Sequence, residues 1–261
     1  MDYWMPWLND MKRNIPQEIE PLKALQEFTS ARIAIGRVGN SIPLKQSLEF
    51  KLAHAHARDA VYSELDINNL SDLLKQFNLA VLHLQSMVSH RRQYLQRPDL
   101  GRKLNKASID LINDYGVDTD IAIVIADGLS ATAVNENAYR LLQVLIPLFT
   151  AANFSLTPLS LVEQGRVAIG DDIGYGLKSK LCLVLIGERP GLSSADSLGA
   201  YLTYNPKPGL TDETRNCISN IRPGGLSYNN AAKKIFYLVS EAFKRKLSGV
   251  ALKDNTGLLD S

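Results

Sequence analysis

Residues 180–196 read K-L-C-L-V-L-I-G-E-R-P-G-L-S-S-A-D, and their residue types suit a binding site at a strand end. Residues 181–186 are an unbroken apolar run with Cys182 inside it. A run so short and uniformly apolar suits a strand buried on both faces. Polarity then changes abruptly at Gly187-Glu188-Arg189-Pro190-Gly191. In open α/β sheets, ligands sit beyond the carboxyl ends of strands, where loop N–H groups are free. The two glycines permit close backbone approach or positive φ. Glu188 supplies an acceptor at this mouth and Arg189 a donor. The same spacing also fits a plain strand-to-helix turn with a surface ion pair.

Other standard sites are missing. No G-x-x-x-x-G-K-[ST] occurs, and residues 187–194 have glycines but no lysine. Gly174-Tyr175-Gly176 lacks the third glycine of a dinucleotide fingerprint. Neither G-x-S-x-G nor H-E-x-x-H is present. His54 and His56 are two apart, so they point to different faces of a helix. His83 and His90 are seven apart, and no carboxylate or cysteine completes a metal set with them. The four histidines therefore read as structural or surface residues, and no metal site is expected. Polar loops at strand ends without a self-contained catalytic set fit two kinds of protein. One is a subunit that helps hold a large ligand while a partner does the chemistry. The other is an enzyme whose site is spread too widely to read.

The elements that must position these loops alternate along the chain. Residues 1–30 read as an N-terminal arm, with Trp4, Trp7 and Leu8 near helical spacing and Pro16 and Pro21 following. Residues 31–35 are a short strand candidate. Gly36 and Gly39 make a turn, Asn40 or Ser41 caps a helix, and Pro43 falls in its first turn. Leu44, Leu48, Leu52 and Ala55 give that helix one apolar face. Residues 65–95 are spaced mostly for helix, with a strand-like piece near 79–84. Pro98 and Gly101 mark a loop, taken as the boundary between a mainly helical part (31–100) and an α/β part (101–250). Beyond it come a helix to Tyr115-Gly116, a strand at 121–126 and an amphipathic helix through Val134, Ala138, Leu141 and Leu145. An extended segment at 154–161, a short helix at 171–177 and the 181–186 strand follow, then a strand at 200–204. Residues 205–230 are rich in Pro, Gly, Asn and Asp and read as a long loop. Ala231, Ile235, Leu238, Val239, Ala242 and Phe243 form a closing helix, and residues 251–261 form a polar tail. This alternation predicts an α/β fold with a mostly parallel, Rossmann-like sheet flanked by helices.

Composition narrows the class. With 29 Lys and Arg against 27 Asp and Glu, the net charge is +2 over 261 residues. A mixed surface of that kind gives no support for nucleic-acid binding. No apolar run approaches the ~20 residues of a membrane span, and the first 13 residues lack a signal-peptide core. Two cysteines are too few for a disulfide framework. A reduced, cytoplasmic protein is expected.

Four stretches go beyond periodicity. They are R-V-G-N-S-I-P-L-K-Q-S-L-E-F-K-L-A-H-A-H-A-R-D-A-V-Y-S-E at 37–64, R-P-D-L-G-R-K-L at 97–104, A-D-G-L-S at 126–130, and residues 186–201 followed by R-N-C-I-S-N-I-R-P-G-G-L at 215–226. Together they closely resemble the small (light) subunit of ethanolamine ammonia-lyase, over roughly residues 29–250. The resemblance implies an adenosylcobalamin-dependent conversion of ethanolamine to acetaldehyde and ammonia. It implies a hetero-oligomer with a large, barrel-shaped subunit that carries the substrate site, and a cofactor held between the two subunits. It also implies three cofactor contacts in this chain: Val167 in Gly165-Arg166-Val167, Glu188 in the G-E-R-P-G segment, and Cys217 in the C-I-S-N segment. The small subunit then carries no catalytic residue of its own. No D-x-H-x-x-G occurs, so the cofactor's own benzimidazole is expected to stay on cobalt. Many members resembling this chain carry a longer N-terminal extension linked to a bacterial microcompartment. About 30 residues precede Ala31 here, which leaves encapsulation an open alternative to a free cytoplasmic location. A stand-alone nucleotide-binding oxidoreductase and a purely structural adaptor are the competing readings.

Overall fold

The computed structural model describes residues 22–29 and 31–255. The expected N-terminal arm therefore lies outside the described residues, apart from 22–29, and so do residues 256–261 of the tail. Contacts divide the chain into two units, Met1–His54 and Ala55–Ser261.

In the first unit, Lys23–Glu27 forms a 3-10 turn. The strand expected at residues 31–35 is not formed. Ala34 takes a left-handed φ of 50°, and Gln26 Nε2 donates to the carbonyls of Ile33 and Ala34 at 2.8 and 3.3 Å. Those carbonyls meet a side chain instead of a neighbouring strand. Val38 and Ser41 close the glycine turn by pairing with each other. Helix α1 (Leu44–Tyr62) starts there, one residue after Pro43. Leu44, Leu48 and Leu52 do lie at helical spacing, but all three are exposed.

The second unit is built on one six-stranded sheet. Its strands are β1 (Val81–Gln85), β2 (Thr119–Ala126), β3 (Leu159–Glu163), β4 (Ser179–Gly187), β5 (Leu198–Tyr204) and β6 (Arg215–Ile221). Their order is β1-β3-β2-β4-β5-β6. The first four in that order run parallel, β5 pairs antiparallel with β4, and β6 pairs antiparallel with β5. The fold is therefore α/β as predicted, with a mixed sheet that is parallel through its central strands. Two expectations are corrected. The chain leaving β4 turns back into β5, so the Glu188 loop joins two strands and not a strand to a helix. The stretch read as a long loop holds β6. Its burial alternates along an edge, with Arg215 and Ile221 in and the polar residues mostly out, so its composition resembles a loop. The strand-like piece near 79–84 is β1, paired with β3 at one edge of the sheet.

Alternation along the central strands divides the core. Ile121, Ile123 and Ile125 of β2 and Leu181, Leu183 and Leu185 of β4 share one cluster with Leu141, Leu142 and Leu145. Those last leucines belong to α5 (Ala131–Ala151), and the same face takes α2 (Ile67–Leu74) and α7 (Tyr228–Arg245). Ala122, Val124, Cys182 and Val184 share the other cluster with Ile112, Ile169 and Ile173. These come from α4 (Lys106–Asn113) and α6 (Ile169–Gly176). A strand buried on both faces needs no polar alternation, which is why β2 and β4 read as apolar runs. Side-chain caps fix the helix starts: Ser130 accepts from the Ala133 N–H, Asn105 from Ser108 and Asp66 from Asn69.

Helix α5 follows β2 on one face, and α6 follows β3 on the other. The chain thus departs in opposite directions from two adjacent strands. Their carboxyl ends form a crevice, the place where an open α/β sheet receives a ligand.

Candidate functional site

The crevice is lined from three loops and one helix. Gly128 and Leu129 follow β2, Arg166 and Val167 follow β3, Glu188 and Arg189 follow β4, and Tyr94 comes from α3 (Arg91–Gln96). This groove is about 460 Å³. A second groove of about 270 Å³ adjoins it, lined by Pro98, Arg102, Arg166, Val167, Tyr201, Asp212, Arg215 and Cys217. Arg166, Val167 and Tyr201 line both. The three residues singled out from sequence therefore share one continuous rim: Glu188 in the first groove, Cys217 in the second and Val167 between them. A larger hollow of about 520 Å³ near Asn68, Ser71 and His83 holds none of them.

The floor is set by one buried carboxylate. Asp127, just past β2, accepts from the N–H groups of Gly128 at 2.9 Å, Gln164 at 2.9 Å and Gly165 at 3.0 Å. Arg91 lies 3.5 Å from it and also donates to the carbonyls of Val61 and Gly128 at 2.6 and 2.9 Å. A single side chain thus ties the loops after β2 and β3 together. Gln164 pays with a left-handed φ of 54°. Tyr94 is fully buried between two guanidinium groups, with Arg91 4.5 Å and Arg166 4.0 Å from its ring centre. Its hydroxyl donates to the Gly165 carbonyl at 3.0 Å, and Arg166 Nη2 donates to the Tyr94 carbonyl at 3.1 Å. Arg166 Nε, Arg91 Nη2 and Gln164 Oε1 are buried with no partner among the described residues.

Burial raises the Asp127 carboxyl from 3.8 to about 6, and the nearby Arg91 and backbone N–H groups only partly oppose this. The folded chain thus holds a proton here that the unfolded chain has already lost. The contribution of this group to stability is fullest below about pH 4, falls as pH rises to about 6, and changes no further beyond. The span corresponds to about 3 kcal/mol. Asp127→Asn is expected to remove most of that slope, read by urea unfolding at pH 4 to 7.5. Burial raises Asp171 and Asp172 as well, which adds slope of the same sign, while the lowered Asp99, Asp120 and Glu241 carboxyls add slope of the opposite sign.

Glu188 is held by its surroundings. Its Oε2 accepts from the Ser197 hydroxyl and from the Asn220 N–H at 3.1 Å, while its own N–H donates to the Ser197 carbonyl at 2.9 Å. Oε1 accepts from no described residue, which leaves one acceptor at the groove. Cys217 sits opposite Tyr201 in the β5–β6 register. It is exposed, yet the crowded groove wall pushes its thiol up, with Tyr201 opposing through a hydrogen bond. A protonated thiol is a poor nucleophile and a close, weakly polar contact. Cys182 is buried mid-strand, as expected for a core residue.

Arg215 fixes the far wall. Its Nη1 and Nη2 meet both oxygens of Asp171 at 2.7 and 2.8 Å, and further bonds reach Thr203 Oγ1 at 3.1 Å and the Leu210 carbonyl at 3.2 Å. This pair joins β6 to α6, so it holds the strand carrying Cys217 against the helix that follows Val167. Sequence reasoning missed Asp127, Tyr94, Arg91 and the Arg215–Asp171 pair as site-building residues. The only signal was that Asp127 and Arg215 fell inside the quoted A-D-G-L-S and R-N-C-I-S-N-I segments. Their partners lie on distant elements.

Comparison with known proteins places the chain in a family. Residues 19–253 match the family model described as Ethanolamine ammonia-lyase light chain (EutC). A protein from Azotobacter vinelandii named ethanolamine ammonia-lyase small subunit is 50% identical over 248 residues, covering 94% of this chain and 92% of the relative. Its namesake from Pseudomonas putida is 50% identical over 248 residues, covering 94% and 91%. Another, from Xanthomonas campestris pv. campestris, is 52% identical over 234 residues, covering 88% and 86%.

Proposed function

This chain belongs to the ethanolamine ammonia-lyase light-chain family, and from that premise we propose that it is the subunit that holds adenosylcobalamin against a large catalytic subunit. The reaction is the conversion of ethanolamine to acetaldehyde and ammonia. The observation that carries this reading is the shared rim: Val167, Glu188 and Cys217 come from three separate segments and line one continuous pair of grooves. The fit to the cofactor rests on donor and acceptor chemistry. A corrinoid edged with carboxamides needs scattered single partners on a shallow concave surface, and not one deep charged pocket. Glu188 Oε1 is an acceptor of that kind, on a residue that lines the first groove. Val167 gives an apolar contact and Cys217 a small one.

Bound adenosylcobalamin supplies a cleavable cobalt–carbon bond and with it radical chemistry. This chain's residues bind and orient. Glu188 fixes one edge of the ligand by accepting, and the Asp127 and Arg215 bonds keep the loops in place. Packing of the grooves against a partner excludes water from what lies between. The chain works in the cytoplasm or inside a microcompartment, as one half of a hetero-oligomer. Among the described residues no helix is long and apolar enough to cross a membrane.

Co-expression with the large subunit tests the reading. Cobalamin retention and lyase activity should require both chains. In the co-purified complex, Glu188→Ala should lower cobalamin affinity about tenfold, the worth of one charge-assisted hydrogen bond, with little change in melting temperature. Unchanged affinity across Val167, Glu188 and Cys217 substitutions would leave the chain a structural adaptor. Stoichiometric NAD on the isolated chain would favour the oxidoreductase.

A further inference from the structure

The two grooves carry more positive charge than their own carboxylates consume. Arg102, Arg166 and Arg189 all line them. Among the described residues none of the three forms an ion pair with an acid. The acids on the same walls are engaged. Asp212 lies 3.4 Å from Arg215 Nε, and Glu188 Oε2 takes the Ser197 hydroxyl and the Asn220 N–H. Arg215 itself is used by Asp171. Arg166 is the best placed of the three. It is half-buried, stacked on Tyr94, anchored by one bond to the Tyr94 carbonyl, and has its Nε buried and unpartnered. A guanidinium so held keeps its charge and loses little further entropy when it meets an anion. Arg102 and Arg189 flank it from two other loops and are exposed. Arg166 lines both grooves, with Arg189 on the wall of the first and Arg102 on the wall of the second. Unpaired arginines spread along one continuous rim suit a phosphate group, whose oxygens accept from several planar donors at once.

We propose that Arg102, Arg166 and Arg189 form a phosphodiester-binding wall that takes the nucleotide tail of the bound cobalamin. The proposal rests on the cobalamin reading above and names the residues that fix the tail end of the ligand. Glu188 and Val167 then face the neutral carboxamide edge. Arg166 is a binding residue here, and nothing in the chemical step is asked of it.

Cobinamide is a corrinoid without the phosphate-bearing tail, so it separates charge recognition from corrin recognition. The complex with the large subunit is titrated with hydroxocobalamin and with cobinamide, binding being read by absorbance. Three forms are compared: wild type, Arg102→Gln with Arg189→Gln, and Arg166→Gln. The double variant changes only exposed side chains, so it keeps the question answerable if Arg166→Gln loosens the Tyr94 stack. Each is expected to weaken hydroxocobalamin binding at least tenfold, with cobinamide affinity changed less than twofold. The salt dependence of hydroxocobalamin binding should also flatten in the variants. Equal losses for both ligands, or no loss for either, would overturn the proposal while leaving the cobalamin reading intact. A wild-type complex that binds no corrinoid would overturn both. Inorganic phosphate is titrated as a separate arm. Arginine-dependent phosphate binding with undiminished hydroxocobalamin affinity would assign the wall to a free anion and overturn the proposal.

Discussion

Replacing Arg215 with alanine is expected to destabilise the chain by about 3–5 kcal/mol, the usual cost of removing one partner from a buried ion pair. Both side chains of the Arg215–Asp171 pair are only 3% exposed. Burial already pushes the Asp171 carboxyl up despite the guanidinium beside it. Without Arg215 that carboxyl must either ionise unpaired or take up a proton, and Thr203 Oγ1 and the Leu210 carbonyl lose a donor as well. The damage should be local as well as global, because Arg215 opens β6 and Cys217 lies two residues on. Urea unfolding reads the loss of stability, and thiol labelling in the native state reads the release of Cys217. Arg215→Met combined with Asp171→Leu should recover much of the stability, since an apolar pair of similar volume removes both desolvation costs. A single variant that unfolds at the wild-type midpoint would mean that the pair contributes nothing to holding β6.

Much of the framework was legible because β2 and β4 are buried on both faces. Their apolar runs need no partner to be recognised, and the helix that follows β2 shows its period through Val134, Ala138, Leu141 and Leu145. Strand β6 was not legible. It is an edge strand whose outward residues are Asn, Cys and Ser, and it is kept in place by side chains. Asn216 Nδ2, for example, donates to the carbonyls of Gly249 and Leu252 at 3.1 and 2.8 Å. Residues 31–35 failed in the opposite sense. Their apolar pattern suits a strand, but Gln26 takes the carbonyls a strand partner would need. Leu44, Leu48 and Leu52 show that a period alone does not say whether a face is covered. At the site, Val167, Glu188 and Cys217 came from family resemblance. Periodicity and spacing alone marked only the Glu188 loop. The Asp127, Arg91 and Tyr94 assembly is built from elements distant in sequence, and no local pattern encodes such an encounter.

Gly187→Ala is expected to cost about 1–3 kcal/mol or more, the range for forcing extra volume into a packed site. Gly187 ends β4 immediately before Glu188. A Cβ there would lie 2.0 Å from the Ser130 carbonyl oxygen and 2.6 Å from that of Asp127. Both are backbone atoms of the turn between β2 and α5, so neither can swing aside as a side chain would. The crowding is mutual. Gly128, at φ +60°, would place a Cβ 2.2 Å from the Gly187 oxygen, and Leu129 N–H donates to that same oxygen at 2.9 Å. The loops after β2 and β4 are thus in backbone contact, and this contact fixes where the chain leaves β4 for Glu188. Gly191→Ala, four residues on, is the fitting comparison. Its nearest obstacle is the Ser194 hydroxyl at 2.8 Å, which can rotate away. At 2–4 °C per kcal/mol for a chain of this size, Gly187→Ala should lower the melting temperature by several degrees and Gly191→Ala by little. Cobalamin retention by the complex should follow the same order, since displacing β4 by even a fraction of an ångström moves the acceptor of Glu188. Equal melting temperatures and equal retention for the two variants would show that the β2–β4 backbone contact does not position the rim.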